Sequence, residues 1–146
     1  MRQGRKQHVV FCKIATGKKS QTSKMKIETH KINDIKIAKL ISNDIIIKTT
    51  DDALDLLGNL HYQNFDKIII QEKNITPDFF DLRNGIAGEI LQKFSNYRVR
   101  LAIVGDFNQY PGKSIRDLIF ESNKIGHINF VSSISEALLK LSKADL

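Results

Sequence analysis

The chain has 146 residues, 41% of them hydrophobic and 27% charged, the balance of a soluble globular domain whose core buries about two thirds of its unfolded surface. The formal net charge of +7 is unevenly placed: residues 1–24 carry seven Lys/Arg and no acid, while residues 25–146 set sixteen Lys/Arg against sixteen Asp/Glu. A neutral body excludes phosphate-backbone binding as the default for the domain itself, and a single cysteine, Cys12, excludes a disulfide framework, a cysteine-based zinc site and a thiol nucleophile within it.

Residues 1–24, "MRQGRKQHVVFCKIATGKKSQTSK", show no clean apolar period. They read as a basic, disordered extension that is not native, with Met25 as the biological start. Only if the extension is native does it bring a nucleic-acid partner. "ATGKKS" is not a phosphate loop: Cys12 stands where the pattern needs glycine, and Lys19 where it needs Ser or Thr.

From Met25 the chain reads as one α/β domain, residues 25–146. "MKIETHKI" and "DIKIAKLIS" are short runs joined at Asn33-Asp34, which predicts a hairpin. "TTDDALDLLGNLHY" predicts a helix capped by Thr49 or Thr50, with Asp51 and Asp52 at its positive end. "DKIIIQE" and "VRLAIVGDF" are near-continuous apolar runs, as strands covered on both faces require. Between them "NITPDFFDLRNGIAGEILQKF" supplies the next helix, with Phe79, Leu82, Ile86, Ile90 and Phe94 as its apolar stripe. Gly85 and Gly88 on that helix predict close backbone packing or the approach of a ligand.

"KSIRDLIFESNKIG" then predicts a helix stopped at Gly126, "HINFVSS" a last strand, and "SISEALLKL" a last helix with a Ser133–Glu136 capping box. The order is ββαβαβαβα: a small mixed sheet of about five strands, its later ones parallel, with helices mainly on one face. No apolar run approaches the ~18 residues that span a membrane, so the expected setting is cytoplasmic, with no membrane partner. The four histidines, His8, His30, His61 and His127, are dispersed, and neither a metal nor a cofactor is predicted.

In such sheets ligands gather beyond the carboxyl ends of the parallel strands. Glu72, Lys73 and Asn74 follow one strand there, Asp106, Asn108 and Tyr110 another, and Ser132 and Ser133 the last. The turn carrying Asp78, Asp81, Arg83 and Asn84 should stand beside them. Glu72, Asp81 and Asp106 are candidates to converge, since close carboxylates raise one another's pKa into a range useful for proton transfer. Each also has a plain structural role. Thr76-Pro77-Asp78 is a good helix start, and Asp81 and Asp106 suit caps. Arg83, a cation in a first helical turn, calls for an acidic or phosphorylated partner, with Asp81 nearest.

The run from Asp66 to Leu141, with "KIIIQ", "FFDLRNGIAGEIL", "VGDF", "INFVSS" and "SEAL" in order, resembles the domains shared by sulfate transporters and anti-sigma-factor antagonists (STAS-like). More closely, "DALDLL", "YQNFDKIII", "ITPDFFDLRNGIAGEILQKFSNYRVRLAIVGDF" and "SIRDLIFESNK" are similar to a bacterial family catalogued as domain of unknown function 4180. The antagonist resemblance implies a partner-binding turn at Asp81–Gly85. There the family's phosphorylated serine is missing: Leu82, Arg83 and Asn84 stand between Asp81 and Gly85, one residue longer and without a hydroxyl.

Two functions are therefore expected in order. The first is a non-enzymatic regulatory or protein-interaction module lacking the serine phosphoswitch. The second is a small-ligand binder or enzyme that uses the acidic residues and Arg83. The candidate surface is Glu72, Asn74, Asp78, Asp81, Arg83, Asn84, Asp106 and Tyr110.

Overall fold

Alternating strands and helices build one mixed sheet in the computed structural model, which describes residues 8–13 and 24–142. The strands are β1 (His8–Lys13), β2 (Lys24–Ile32), β3 (Ile35–Ile41), β4 (Lys67–Gln71), β5 (Arg100–Val104) and β6 (Ile128–Val131), and they lie side by side in chain order. β1, β2 and β3 are antiparallel neighbours, and β3 to β6 run parallel. The β2–β3 hairpin turns at Asn33 and Asp34, with φ of 53° and 68°. Both values are left-handed, as the tightest hairpin turn demands, and Asn and Asp tolerate that region better than most residues.

The five strands expected from the sequence are β2 to β6. A sixth, β1, falls within the basic segment: His8–Lys13 pairs antiparallel along β2 from Thr29 to Lys24. "HVVFCK" holds β-branched and aromatic residues, and the outer edge of β2 offers the hydrogen bonds such a run lacks alone. The remainder of that segment lies outside the described residues.

The helices are α1 (Thr50–Tyr62), α2 (Ile86–Asn96), α3 (Lys113–Ile125) and α4 (Ile134–Leu141). α1, α2 and α3 each carry the chain from one parallel strand to the next in the same direction. Connections of one hand must then share one face of the sheet, and they do. Leu56, Leu57 and Leu60 of α1, Ile90 and Phe94 of α2 and Ile115 of α3 are buried with Ile68, Ile70, Leu101 and Ile103 of the sheet. α4 follows β6 and covers the other face of the sheet. Its Ala137 and Leu141 pack on Ile37, Ile69, Ala102 and Val131. Among the described residues no helix is long and apolar enough to cross a membrane.

The single helix expected over 74–94 is broken. Pro77–Phe80 and Leu82–Asn84 form two short 3-10 turns, and α2 starts only at Ile86. Gly85 has φ of 78°, a left-handed conformation that no right-handed helix continues through and that glycine adopts without a Cβ clash. Phe79 is buried all the same, from the first turn rather than from the helix.

Candidate functional site

Beyond the carboxyl ends of β4 and β5 the chain builds two different constructions. The first centres on Glu72, which opens a 3-10 turn directly after β4. Its carboxylate accepts hydrogen bonds from the Asp106 N–H at 3.3 Å, from Gln109 Nε2 at 2.8 Å and from the Tyr110 hydroxyl. One acid thus clamps the whole loop after β5. Gly105 makes this approach feasible, because a Cβ there would stand 2.5 Å from Glu72 Oε1 and 2.6 Å from Glu72 Cβ. The Tyr110 ring stacks on Phe80 with centroids 4.5 Å apart. Burial first, then the hydrogen bond to the Glu72 carboxylate, push the Tyr110 hydroxyl well above the usual phenol range. It is a fixed donor. Asp106 completes the loop by accepting from the Asn108 N–H at 3.1 Å, which caps the turn Phe107–Gln109.

The second construction is the turn over residues 76–85. Thr76 Oγ1 accepts from the Asp78 N–H at 3.3 Å, with Pro77 at the first position behind it. Asp81 both ends the first 3-10 turn and caps the second. Its Oδ1 accepts from Arg83 Nε at 2.9 Å and its Oδ2 from Arg83 Nη2 at 3.1 Å, a two-pronged ion pair. The Arg83 guanidinium holds the Asp81 carboxyl below its usual range, and the carboxylate raises Arg83 in return. Asn84 donates to the Asp78 carbonyl at 3.0 Å and accepts from the Ile86 N–H at 2.9 Å. It therefore caps α2 in place of Gly85, which has no side chain to do so.

The eight candidate residues thus separate. Glu72, Asp106 and Tyr110 are brought together. Asp81, Arg83, Asn84 and the Asp78 backbone form a local network of their own, and Phe80, next to Asp81, stacks on Tyr110 of the Glu72 network. Asn74 leaves the surface altogether: it is 1% exposed, and its Nδ2 donates to the Ser42 and Asp44 carbonyls at 3.0 and 2.8 Å. Its backbone carbonyl accepts from the Ile46 and Ile47 N–H groups, so it ties two loops together. Buried amides take such roles because an unpaired loop backbone is costly.

The glycine expectation also changes. Among the described residues, a Cβ at Gly85 or at Gly88 would meet no atom within 4 Å beyond the chain neighbours and the helix's own backbone. Gly85 is explained by its backbone angle, but Gly88, on the exposed side of α2, is not explained by packing.

An open cleft of about 590 Å³ lies between the ends of β5 and β6, lined by Asp106, Asn108, Phe130, Ser132 and Glu136 among others. Of the eight candidates only Asp106 reaches it. The Ser133–Glu136 capping box is half formed: Ser133 Oγ accepts from the Glu136 N–H at 3.1 Å, but the Glu136 carboxylate turns to the Ser132 N–H and hydroxyl, at 3.1 and 3.2 Å. That one-residue shift puts Glu136 into the cleft wall, where the sequence pattern alone placed it in a cap. Among the described residues no group of three or more His, Cys, Asp or Glu is arranged to hold a metal ion.

Comparison with protein families matches residues 32–141 to the family described as Domain of unknown function (DUF4180). The match covers most of the chain, and the chain belongs to that family. Comparisons with curated proteins and with solved structures found no match.

Proposed function

We propose that this member of the DUF4180 family is a non-enzymatic protein-interaction module of regulatory type, STAS-like in its use of the 76–85 turn. The observation that carries this reading is Gly88 beside the turn; Gly58 of α1 is equally open but adjoins no such turn. A glycine inside a helix costs about 1 kcal/mol against alanine, and among the described residues no atom beyond the helix backbone and chain neighbours of Gly88 lies within 4 Å of an added Cβ. Bare helix backbone is what a partner needs to approach closely. Gly88 follows directly on a turn that is exposed yet fixed by its own bonds: the Arg83 side chain is 90% exposed while held on Asp81. Preorganised polar groups lose little entropy on binding. The candidate carboxylates meanwhile serve the fold, Asp81 on Arg83 and Glu72 on the β5 loop, which favours recognition over proton transfer.

Affinity capture with the wild-type chain, Arg83→Ala and Asn84→Ala tests the reading, with thermal unfolding as the check that each variant is folded. Loss of a specific partner with Arg83→Ala is the expected result. An identical partner list for all three removes the turn from the account.

A second reading, a small-ligand binder, is supported by the cleft beside Asp106, Ser132 and Glu136, which has the volume of a small-molecule site. Thermal-shift screening with nucleotides, sugars and organic acids tests it. Stabilisation that disappears in Ser132→Ala would move the function from the turn to the cleft.

A further inference from the structure

α1, α2 and α3 lie on one face of the sheet and α4 on the other. The chain therefore leaves the carboxyl ends of β4 and β5 toward the first face, and the end of β6 toward the second. β5 and β6 are hydrogen-bonded neighbours, so two outgoing connections diverge from adjacent strand ends. Phe107 and Tyr110 of the β5 loop pack against the core under α1, α2 and α3, whereas Ile134, just after β6, packs under α4. Open sheets take their ligands into crevices of this origin, because diverging connections leave a gap at the strand ends. The cleft of about 590 Å³ stands at that gap. No such divergence occurs between β4 and β5, where Glu72 straps the β5 loop down. Topology sets the place of the cleft, whatever lines it.

The lining selects the ligand. Phe107 and Phe130 meet edge to face with ring centroids 5.2 Å apart, and with Val131 they form the apolar part of the wall. The charged residues in the wall are Asp106 and Glu136, with no Lys, Arg or His among the lining residues. Glu136 Oε1 takes the Ser132 N–H and hydroxyl at 3.1 and 3.2 Å, so these donors, which would suit an anion, are spent on the chain's own carboxylate. Asp106 Oδ1 takes the Asn108 N–H at 3.1 Å. Each acid keeps a second oxygen, Glu136 Oε2 and Asp106 Oδ2, with no hydrogen-bond partner among the described residues. An anion would meet two carboxylates, and a cation two free acceptors. A metal ion fits less well than an organic cation: no group of three or more metal-ligating side chains is found among the described residues, and aromatic rings give a hard ion no ligand.

We propose that the cleft between β5 and β6 binds a small organic cation, an amine or guanidinium carried on an apolar body. Asp106 and Glu136 hold the charge, and Phe107, Phe130 and Val131 lie along the body. The proposal rests on the small-ligand reading of this cleft and gives that reading a ligand class. Charge-assisted hydrogen bonds fix the orientation, and burial of the apolar body supplies affinity.

Benzylamine, benzyl alcohol and benzoate share one aromatic body and differ in charge, and they serve as probes on the full chain. Each is titrated to about 10 mM, the range in which so small a ligand binds, and followed by amide chemical shifts. Benzylamine is expected to shift the Asp106 and Ser132 amides and to bind at least about tenfold more tightly than either analogue. The double variant Asp106→Asn/Glu136→Gln keeps acceptors at both positions and removes both charges. It should weaken benzylamine at least about tenfold and leave benzyl alcohol unchanged. Should it fail to fold, Asn108→Lys on the same wall sets a cation in the cleft and should weaken benzylamine as much. Benzyl alcohol or benzoate binding in the cleft as tightly as benzylamine overturns the cation assignment and leaves the small-ligand reading standing. Benzylamine binding elsewhere, or unchanged in a folded variant, overturns it as well. So does silence from all three probes, whereas the small-ligand reading falls only if the thermal-shift panel is silent too.

Discussion

Glu72 and Asp81 are both acids just beyond a strand end, and the molecule uses them in opposite ways. Asp81 bonds within two residues of itself, to the backbone and guanidinium of Arg83. Glu72 reaches 34 to 38 residues along the chain, to Asp106, Gln109 and Tyr110. The first arrangement shapes an exposed turn and adds little to the stability of the whole. The second fastens two loops across neighbouring strands. The two acids thus belong to different hydrogen-bond networks, which meet where Phe80 stacks on Tyr110.

The sharpest way to break the clamp is Gly105→Ala. The new Cβ meets the Glu72 side chain at 2.5 and 2.6 Å, and one of those contacts is to the Glu72 Cβ, which cannot swing aside. The expected loss is about 2–3 kcal/mol of unfolding free energy, read from urea denaturation. A cost below that of an ordinary surface change would show that the loop yields freely.

Next in size is a pair of double-mutant cycles. Glu72→Gln with Tyr110→Phe should show a coupling of about 1 kcal/mol, as expected of a half-buried hydrogen bond to a charged acceptor. Asp81→Asn with Arg83→Gln should show no coupling in stability, because solvent screens an exposed pair. Equal coupling in both cycles would erase the distinction between the two regions.

A gain follows. Gly88→Ala should raise stability by about 1 kcal/mol, because its Cβ meets no atom within 4 Å. Thermal unfolding measures it directly. A loss instead would mean that the helix packs more closely than described.

The smallest effect asks whether a surface ion pair away from both regions contributes anything. Glu28 is held below its usual 4.5, first by the hydrogen bond from His30, against some burial, and then by Lys39. A carboxylate with a lower folded than unfolded pKa stabilises in full above about 4.5, and that contribution is lost as pH falls through the folded value. Wild type should therefore exceed Glu28→Gln by under about 1 kcal/mol near neutrality. The gap should close in acid, as followed by urea midpoints against pH.

Much of this is legible in the sequence alone. The strand and helix order from residue 25 onward follows from apolar period and punctuation, because each element buries one face. Asp81, Asp106, Thr76 and Ser133 announce themselves as caps through residue type and position, and the Asp81–Arg83 pair follows from a cation placed against a helix start. Contacts distant in sequence were not legible. Nothing near Glu72 points to Tyr110. Asn74 reads as a surface residue in the sequence because its burial depends on a loop 30 residues earlier. β1 was hidden because its short apolar run acquires a partner only when β2 presents an edge.

Whether the turn and the adjoining face of α2 meet a partner is read by comparing Gly88→Ala with Gly58→Ala. Gly58 lies on α1 and is equally open, with no atom within 4 Å of an added Cβ. Both variants should unfold at higher temperature than wild type. With the captured partner in a binding titration, only Gly88→Ala should lose affinity, by at least about tenfold or 1.4 kcal/mol. Unchanged affinity in Gly88→Ala, with the stability gain in place, would contradict the account.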